Sequence, residues 1–427
     1  MQIRLLRDKK QLGPVCYMIE AALEYFISIM VTGAYLARIT SSLGFSDSLT
    51  GILSSFVSLG CVFQLGAIHL FRNRRSVKRP IILSHIINQA LFACVYFIPA
   101  LSVPNSAKTG LFLMCFCGAY ILSNLIAPPK SSWLISLISD RERGVFTARK
   151  EILSLLSGML FTYILGNIID RLEAAGHQRL SFLLGGVIIL LLMALHTLSL
   201  LPITENPRDT ASRSASLKEL KSNRLYVRTV PVILIWHIAQ SSATPFYGAY
   251  QIKELGFSMT FISVLSIVYS LVRAAFSPAL GRLADRHSFS RMALLCFAIA
   301  AAGFLVNCFT VPANGKIFYT AYYCLYAIAM AGINSAMTNL VYDCVQGTGR
   351  LGALAISSAL GGVCGFVATC LMSPIVAHIQ RQGNRLLGLS LYPAQFVSAV
   401  ALLITLLLLV YLRKVIIPAE KAIKKEA

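Results

Sequence analysis

Gly33-Ala34-Tyr35 and, further along, Leu43-Gly44-Phe45-Ser46 return in the second half of the chain as Gly248-Ala249-Tyr250 and Leu255-Gly256-Phe257-Ser258. From the second anchor the register runs without a gap at an offset of 212 into the following loop, where Arg74 and Arg79 meet Arg286 and Arg291. A second gapless block, at an offset of 203, puts Ser132, Asp140, Gly144, Ser154 and Gly158 on Ser335, Asp343, Gly347, Ser357 and Gly361. Single Gly or Ser matches carry little weight. Two blocks at equivalent places imply that the chain is built of two similar halves in parallel orientation.

What is repeated is apolar. Of 427 residues, 56% are hydrophobic and 13% charged, against roughly 45–50% and about 25% in soluble proteins. Runs long enough to cross a ~30 Å hydrocarbon layer as helices occur at 14–37, 48–71, 80–99, 110–138, 151–169 and 181–201. Six more follow at 229–250, 259–280, 291–311, 317–342, 351–376 and 391–412. Backbone N–H and C=O groups in lipid must pair within their own segment, which selects helices. The expected architecture is an all-α membrane protein with twelve transmembrane helices in two pseudo-symmetric six-helix bundles. The bundles are 1–203 and 229–427, the second ending in a basic tail, and a polar linker at 204–228 joins them.

The formal charge of +21 would raise nucleic-acid binding in a soluble protein. Placing the N-terminus inside assigns 28 of the 38 Lys and Arg to inner segments and eight to outer loops. Both termini and the linker are therefore expected in the cytoplasm. Basic residues dispersed over seven inner segments form no single stripe, so no nucleic-acid partner is expected. The eleven cysteines lie in or beside apolar runs without metal-ligand spacing and read as packing residues. The first apolar run is too long for a signal peptide and contains Glu20 and Glu24, so it is expected to be retained.

The loop between spans 8 and 9 reads Gly281-Arg282-Leu283-Ala284-Asp285-Arg286-His287-Ser288-Phe289-Ser290-Arg291. It closely resembles the short-loop signature of the major facilitator superfamily, a glycine followed by Asp-Arg and further basic residues. The equivalent first-half loop departs from the pattern, with His69 at the glycine position and Asn73 at the aspartate position. Asp140-Arg141-Glu142-Arg143-Gly144 also looks like the loop between spans 4 and 5 of many members. The resemblance covers essentially the whole chain and implies a twelve-helix secondary transporter working by alternating access. Gly281 allows a sharp helix end or close packing, and Asp285 between Arg282 and Arg286 offers exchangeable ion pairs. These residues, with Arg143 and Gly144, are the candidates for conformational gating.

Four Lys, Arg, Asp or Glu side chains fall well within spans: Glu20 and Glu24 in span 1, Lys130 in span 4 and Arg273 in span 8. Each costs about 2.5–3.5 kcal/mol at a helix centre on insertion scales, so each needs a reason. Glu20 and Glu24, four apart, share a helix face with Tyr17 and Ser28. Like charges at this spacing disfavour joint ionisation, so one carboxyl is expected to hold or exchange a proton. In the family this resembles, spans 1, 4, 7 and 10 line the cavity, which implies that Lys130 projects near the Glu pair. A static Glu–Lys pair that only fixes helix packing is the alternative.

Pro128-Pro129, just before Lys130, removes two backbone donors and is expected to distort span 4. Trp236, Gln240, Thr244 and Tyr247 give span 7 a mixed aromatic and polar face suited to an organic solute, though Trp and Tyr also collect at membrane interfaces. Asn124 and Asn334 are further substrate candidates, and His85, Asn88 and Gln89 in span 3 read equally as packing or function.

The expected function is secondary active transport of a small organic solute, with a saccharide as the leading candidate, across the cytoplasmic membrane, driven by protons or another coupling ion. The alternative is a multidrug/proton antiporter exporting cationic or amphipathic compounds. Against it, Leu155 to Asn167 holds Gly158 and Gly166 but no Gly-Pro pair. For it, the Glu-rich first span resembles that of some multidrug antiporters. No His-Glu-x-x-His, Gly-x-Ser-x-Gly or phosphate-cradling loop occurs, so neither an enzyme nor a cofactor is expected. No loop is long enough for a sensor domain. The expected partners are a small-molecule substrate, the coupling ion and the lipid bilayer, with the monomer as the working unit.

Overall fold

The computed structural model describes residues 2–71, 76–135, 137–138, 143–205, 222–345, 349–386 and 389–420. Its helices are α1 (Gln2–Met30), α2 (Gly33–Ser42), α3 (Asp47–Phe71), α4 (Lys78–Phe97), α5 (Asn105–Ile135), α6 (Arg143–Ala174) and α7 (Gln178–Leu200). After the linker come α8 (Arg224–Ala249), α9 (Met259–Arg286), α10 (Phe289–Asn307), α11 (Gly315–Cys344), α12 (Gly349–Arg381) and α13 (Pro393–Tyr411). Two two-residue strands, β1 (Arg385–Leu386) and β2 (Leu389–Ser390), pair antiparallel between the last two helices. Among the described residues, ten helices are long and apolar enough to cross a bilayer. α8 falls below that hydropathy because His237, Gln240, Ser241, Ser242 and Thr244 interrupt its apolar run. Large side chains such as Met114, Leu191, Ile317 and Leu407 are exposed, as lipid contact demands of surfaces that water would not tolerate.

The first apolar run is not one helix. It breaks at Val31-Thr32, and Gly33 restarts the chain at φ +54°, a conformation that only glycine adopts without strain. The break frees carbonyls. The Tyr96 hydroxyl donates to Met30 O at 2.6 Å and the Tyr120 hydroxyl to Val31 O at 3.3 Å. Gly248, the repeat counterpart of Gly33, stays inside α8, so the repeat persists in sequence where conformation diverges. α5 carries Pro128 and Pro129, the pair expected to distort span 4, inside one continuous helix that runs to Ile135.

Two compact units form. The first takes in Met1–Phe45, Val62–Thr210 and Phe257–Val264; the second takes in Ser46–Cys61, Ala211–Gly256 and Leu265–Ala427. They differ from a division at the linker in that α3 up to Cys61 belongs to the second unit and the start of α9 up to Val264 to the first. Within the first unit, the Asp170 carboxylate accepts the Met259 and Thr260 amides at 2.9 and 2.7 Å, capping α9 where its dipole is positive. Ser263 Oγ donates to Thr162 O at 2.9 Å, and a Cβ on Gly166 would lie 2.6 Å from that hydroxyl. Within the second unit, Ser373 Oγ donates to Ser48 O at 3.1 Å and the two serine hydroxyls bond each other. Asp47 there pairs with Lys253 at 2.6 Å and accepts from Gln380 at 2.5 Å. The offsets of 203 and 212 carry Asp170 to Ser373 and Ser48 to Thr260. The same contact is thus made in both units with different chemistry.

The matched glycines also repeat a role. A Cβ on Gly158 would meet the Tyr25 ring of α1 at 2.5 Å, and one on Gly361 the His237 ring of α8 at 2.5 Å. Each removes a side chain where two helices of its own unit approach closely. One core cluster of the first unit gathers Tyr17, Ile81, Ile126, Trp133 and Leu200 from α1, α4, α5 and α7, and this is the frame of the site below.

Candidate functional site

Glu20 and Glu24 lie one turn apart on α1, and Lys130 of α5 reaches between them. Its Nζ stands 2.7 Å from Glu20 Oε1 and 2.5 Å from Glu24 Oε2. The two carboxylates are unequal. Glu20 is 1% exposed, whereas the Glu24 side chain is 41% exposed. Glu24 is therefore the more accessible of the two carboxylates, with Glu20 sealed behind it.

Behind Glu20 stands a residue that the charge survey passed over. His196 of α7 is fully buried, with Nε2 3.2 Å from Glu20 Oε1 and Nδ1 3.2 Å from the Gln89 amide nitrogen of α4. The His85 ring, also on α4, lies 4.9 Å from that of His196. Close packing of α4 on α7 makes this possible: Cβ atoms on Gly185 and Gly186 would fall 2.4 Å from the rings of Tyr96 and Phe97. Tyr96 and His85 are eleven residues apart, as are Gly185 and His196. Eleven residues are three helical turns, so the contact that brings the antiparallel helices together repeats on the same faces at the histidines. A neutral histidine adds nothing to a count of Lys, Arg, Asp and Glu, which is why sequence reasoning did not single out His196. The further clue was a polar residue in an otherwise apolar span.

The other candidates lie elsewhere. Asn124 Nδ2 donates to Tyr120 O at 2.9 Å and its Oδ1 accepts from Gln64 at 3.3 Å, both within the first unit. Trp236 is buried against Phe297 of α10, with ring centroids 5.0 Å apart, and Tyr247 is buried with its hydroxyl 2.7 Å from Ser398 Oγ of α13. Both side chains are already engaged by neighbouring helices. Gln240 is half-buried and Asn334 exposed. Arg273 belongs to the second unit, half-buried, with no ion pair among the described residues. A chain of tyrosines on α11, Tyr319, Tyr322, Tyr323 and Tyr326, stacks with Tyr247 and Phe304 inside the second unit. The sequence reading did not pick out this face, although its spacing of three, one and three residues is helical.

Of the gating candidates, Arg282, Asp285 and Arg286 are exposed near the end of α9 and form no ion pair among the described residues. Gly281 neither turns nor packs closely. It sits in continuous helix, and a Cβ there would meet nothing within 4 Å, so the sharp-turn reading of this glycine is corrected. Arg143 and Gly144 open α6, and their side chains lie outside the described residues, as do His69, Asn73 and Asp140.

The sequence profile of the MFS/sugar transport protein family matches residues 39–349. The chain belongs to this family. No curated protein matches the transporter in sequence. Solved structures resemble it closely in fold. A point mutant of the nucleoside transporter NupG superposes with a TM-score of 0.70 at 12% identity, covering 94% of this chain and 99% of that one. The D-xylose-proton symporter gives 0.66 at 16% identity over 92% and 96%. A bacterial homologue of the human lysosomal transporter Spinster, inward-facing and unoccupied, gives 0.66 at 12% over 95% and 96%. At such identities the likeness establishes the fold, and the major facilitator architecture expected from the Gly281–Arg291 loop is the one found. The transporter is a multi-pass membrane protein that moves small solutes.

Proposed function

We propose that the transporter couples movement of a small polar solute, of the saccharide or nucleoside class, to protons by alternating access. It acts as a monomer in the cytoplasmic membrane with both termini inside. One observation carries the coupling: Lys130 bridges two carboxylates of unequal accessibility, Glu20 sealed and Glu24 partly exposed. A lone ammonium neutralises only one of two carboxylates, so the cluster has a use for one exchangeable proton, and Glu24 is the more exposed group to take it. The solute class is supported by the family's description and by two structural neighbours, a nucleoside transporter and a sugar–proton symporter.

The test is uptake into proteoliposomes under imposed pH and sodium gradients, with pentoses, hexoses, nucleosides, amino acids and cationic dyes offered in turn. A pH gradient is expected to drive accumulation of a sugar or nucleoside, and Glu24→Gln to abolish the driving effect. Uptake indifferent to the pH gradient, or a Glu24→Gln variant still driven by it, would end the coupling assignment. Accumulation of dyes alone would favour the exporter reading.

A further inference from the structure

Two imidazoles lie behind the Glu–Lys cluster, and the solute reading gives them no task. His85 is buried and neither ring nitrogen has a hydrogen-bond partner; one turn along the same face of α4, buried Gln89 Oε1 also lacks one. Buried polar atoms left unpaired cost about 1–3 kcal/mol each. Three on one helix face, beside an ion cluster, are more than packing explains.

The hydrogen bonds fix where a proton can go. Ionised Glu20 only accepts, so His196 Nε2 carries the hydrogen it shares with Glu20, and His196 Nδ1 offers a lone pair to the Gln89 N–H. In that state Glu20, Glu24 and Lys130 sum to one uncompensated negative charge within the first unit. One added proton brings the cluster to neutrality. An imidazole is ordinarily the stronger base, by about two pH units over a carboxylate, and the Nδ1 lone pair, once Gln89 releases it, is where the proton would bind. Gln89 answers by turning its amide, so that the oxygen now without a partner accepts from Nδ1–H. The charged and titratable groups facing His196 and His85 are Glu20 and Glu24 from α1 and Lys130 from α5. Lys150 of α6 is further off, over the Tyr17 ring at 5.0 Å.

We propose that His196, with His85 beside it, is the inner station of the proton path, holding as imidazolium the proton that Glu24 receives from water. The O–H bond of the Glu24 carboxyl breaks, returning it to carboxylate, and an N–H bond forms on the His196 imidazole, which holds the proton as imidazolium until the opposite side of the membrane draws it off. No other bond forms or breaks. The transport role rests on the proton coupling proposed above; the protonation itself does not.

Ring-15N-histidine NMR of the reconstituted full chain tests the protonation. The seven histidines are assigned by His85→Gln and His196→Gln differences. His196 is expected to gain its second N–H as the pH is lowered, and a ring that stays neutral throughout overturns the proposal. In proteoliposomes carrying labelled D-xylose or uridine, wild-type uptake is expected to fall about tenfold as external pH rises from about 5.5 to about 7.5, and in His196→Gln less than about twofold. An unchanged pH profile in His196→Gln overturns the station. Should His196→Gln fail to fold, Gln89→Met keeps the imidazole but removes the acceptor for Nδ1–H. Its uptake midpoint is expected about one pH unit lower, and an unmoved midpoint counts against the proposal. If His196 titrates but no pH gradient drives the wild type, the coupling reading has failed and the station loses its transport role.

Discussion

Replacing Lys130 by methionine isolates the electrostatics of the site. The substitution leaves Glu20 buried at 1% exposure with His196 as its remaining donor. Removing one partner of a buried ion pair costs about 3–5 kcal/mol, because the other charge stays behind without compensation. Glu24 is 41% exposed, so its share is screened to the ~0–1 kcal/mol of a surface pair. Nearly all of the loss should therefore come through Glu20. Pairing Lys130→Met with Glu20→Gln removes the stranded charge and should recover most of the stability; pairing it with Glu24→Gln should recover little. At about 2 °C per kcal/mol for a chain of this size, Lys130→Met lowers the melting temperature by roughly 6–10 °C. The assay is thermal unfolding in detergent followed by fluorescence of Trp133 and Trp236, one in each sequence half. A loss under about 2 °C, or a Glu20→Gln/Lys130→Met double variant no more stable than Lys130→Met, would refute the reasoning.

Gly166→Leu drives a side chain into Ser263 Oγ and the Met259 backbone oxygen, 2.6 and 2.9 Å from where its Cβ must sit. A loss of at least about 1–3 kcal/mol is expected, while Gly110→Leu, with nothing within 4 Å, should melt like wild type. Asp170→Asn keeps one acceptor for the first turn of α9 but loses the charge on its dipole. Exchange of the Met259 and Thr260 amides should quicken about fivefold, equivalent to about 1 kcal/mol, and unchanged exchange would remove the capping role. Burial, and then the neighbouring Asp47, hold the Glu254 carboxyl above its usual range. Its protonated form is thus favoured by folding, and the associated stability, full at pH below the ordinary carboxyl range, is lost as pH rises through the folded value. Glu254→Gln should therefore melt above wild type at neutral pH and level with it in acid; the reverse order would show the sign to be wrong.

The apolar runs, their lengths and the asymmetry of Lys and Arg determined a helical membrane protein from sequence alone, because lipid leaves a backbone few alternatives. The repeat made the two-fold build legible as well, and Gly158 and Gly361 show that matched residues can share a packing role. Lys130 reaching two glutamates was legible once scarce intramembrane charge was counted and the family resemblance put spans 1 and 4 on one cavity. What only the tertiary structure decided is which neutral groups join those charges, which carboxylate is sealed, and which unit each helix end belongs to. His196 and Gln89 are 107 residues apart, and nothing local ties them together. Their meeting depends on α4 and α7 closing over Gly185 and Gly186, and long-range packing of that kind leaves no periodic mark along the chain.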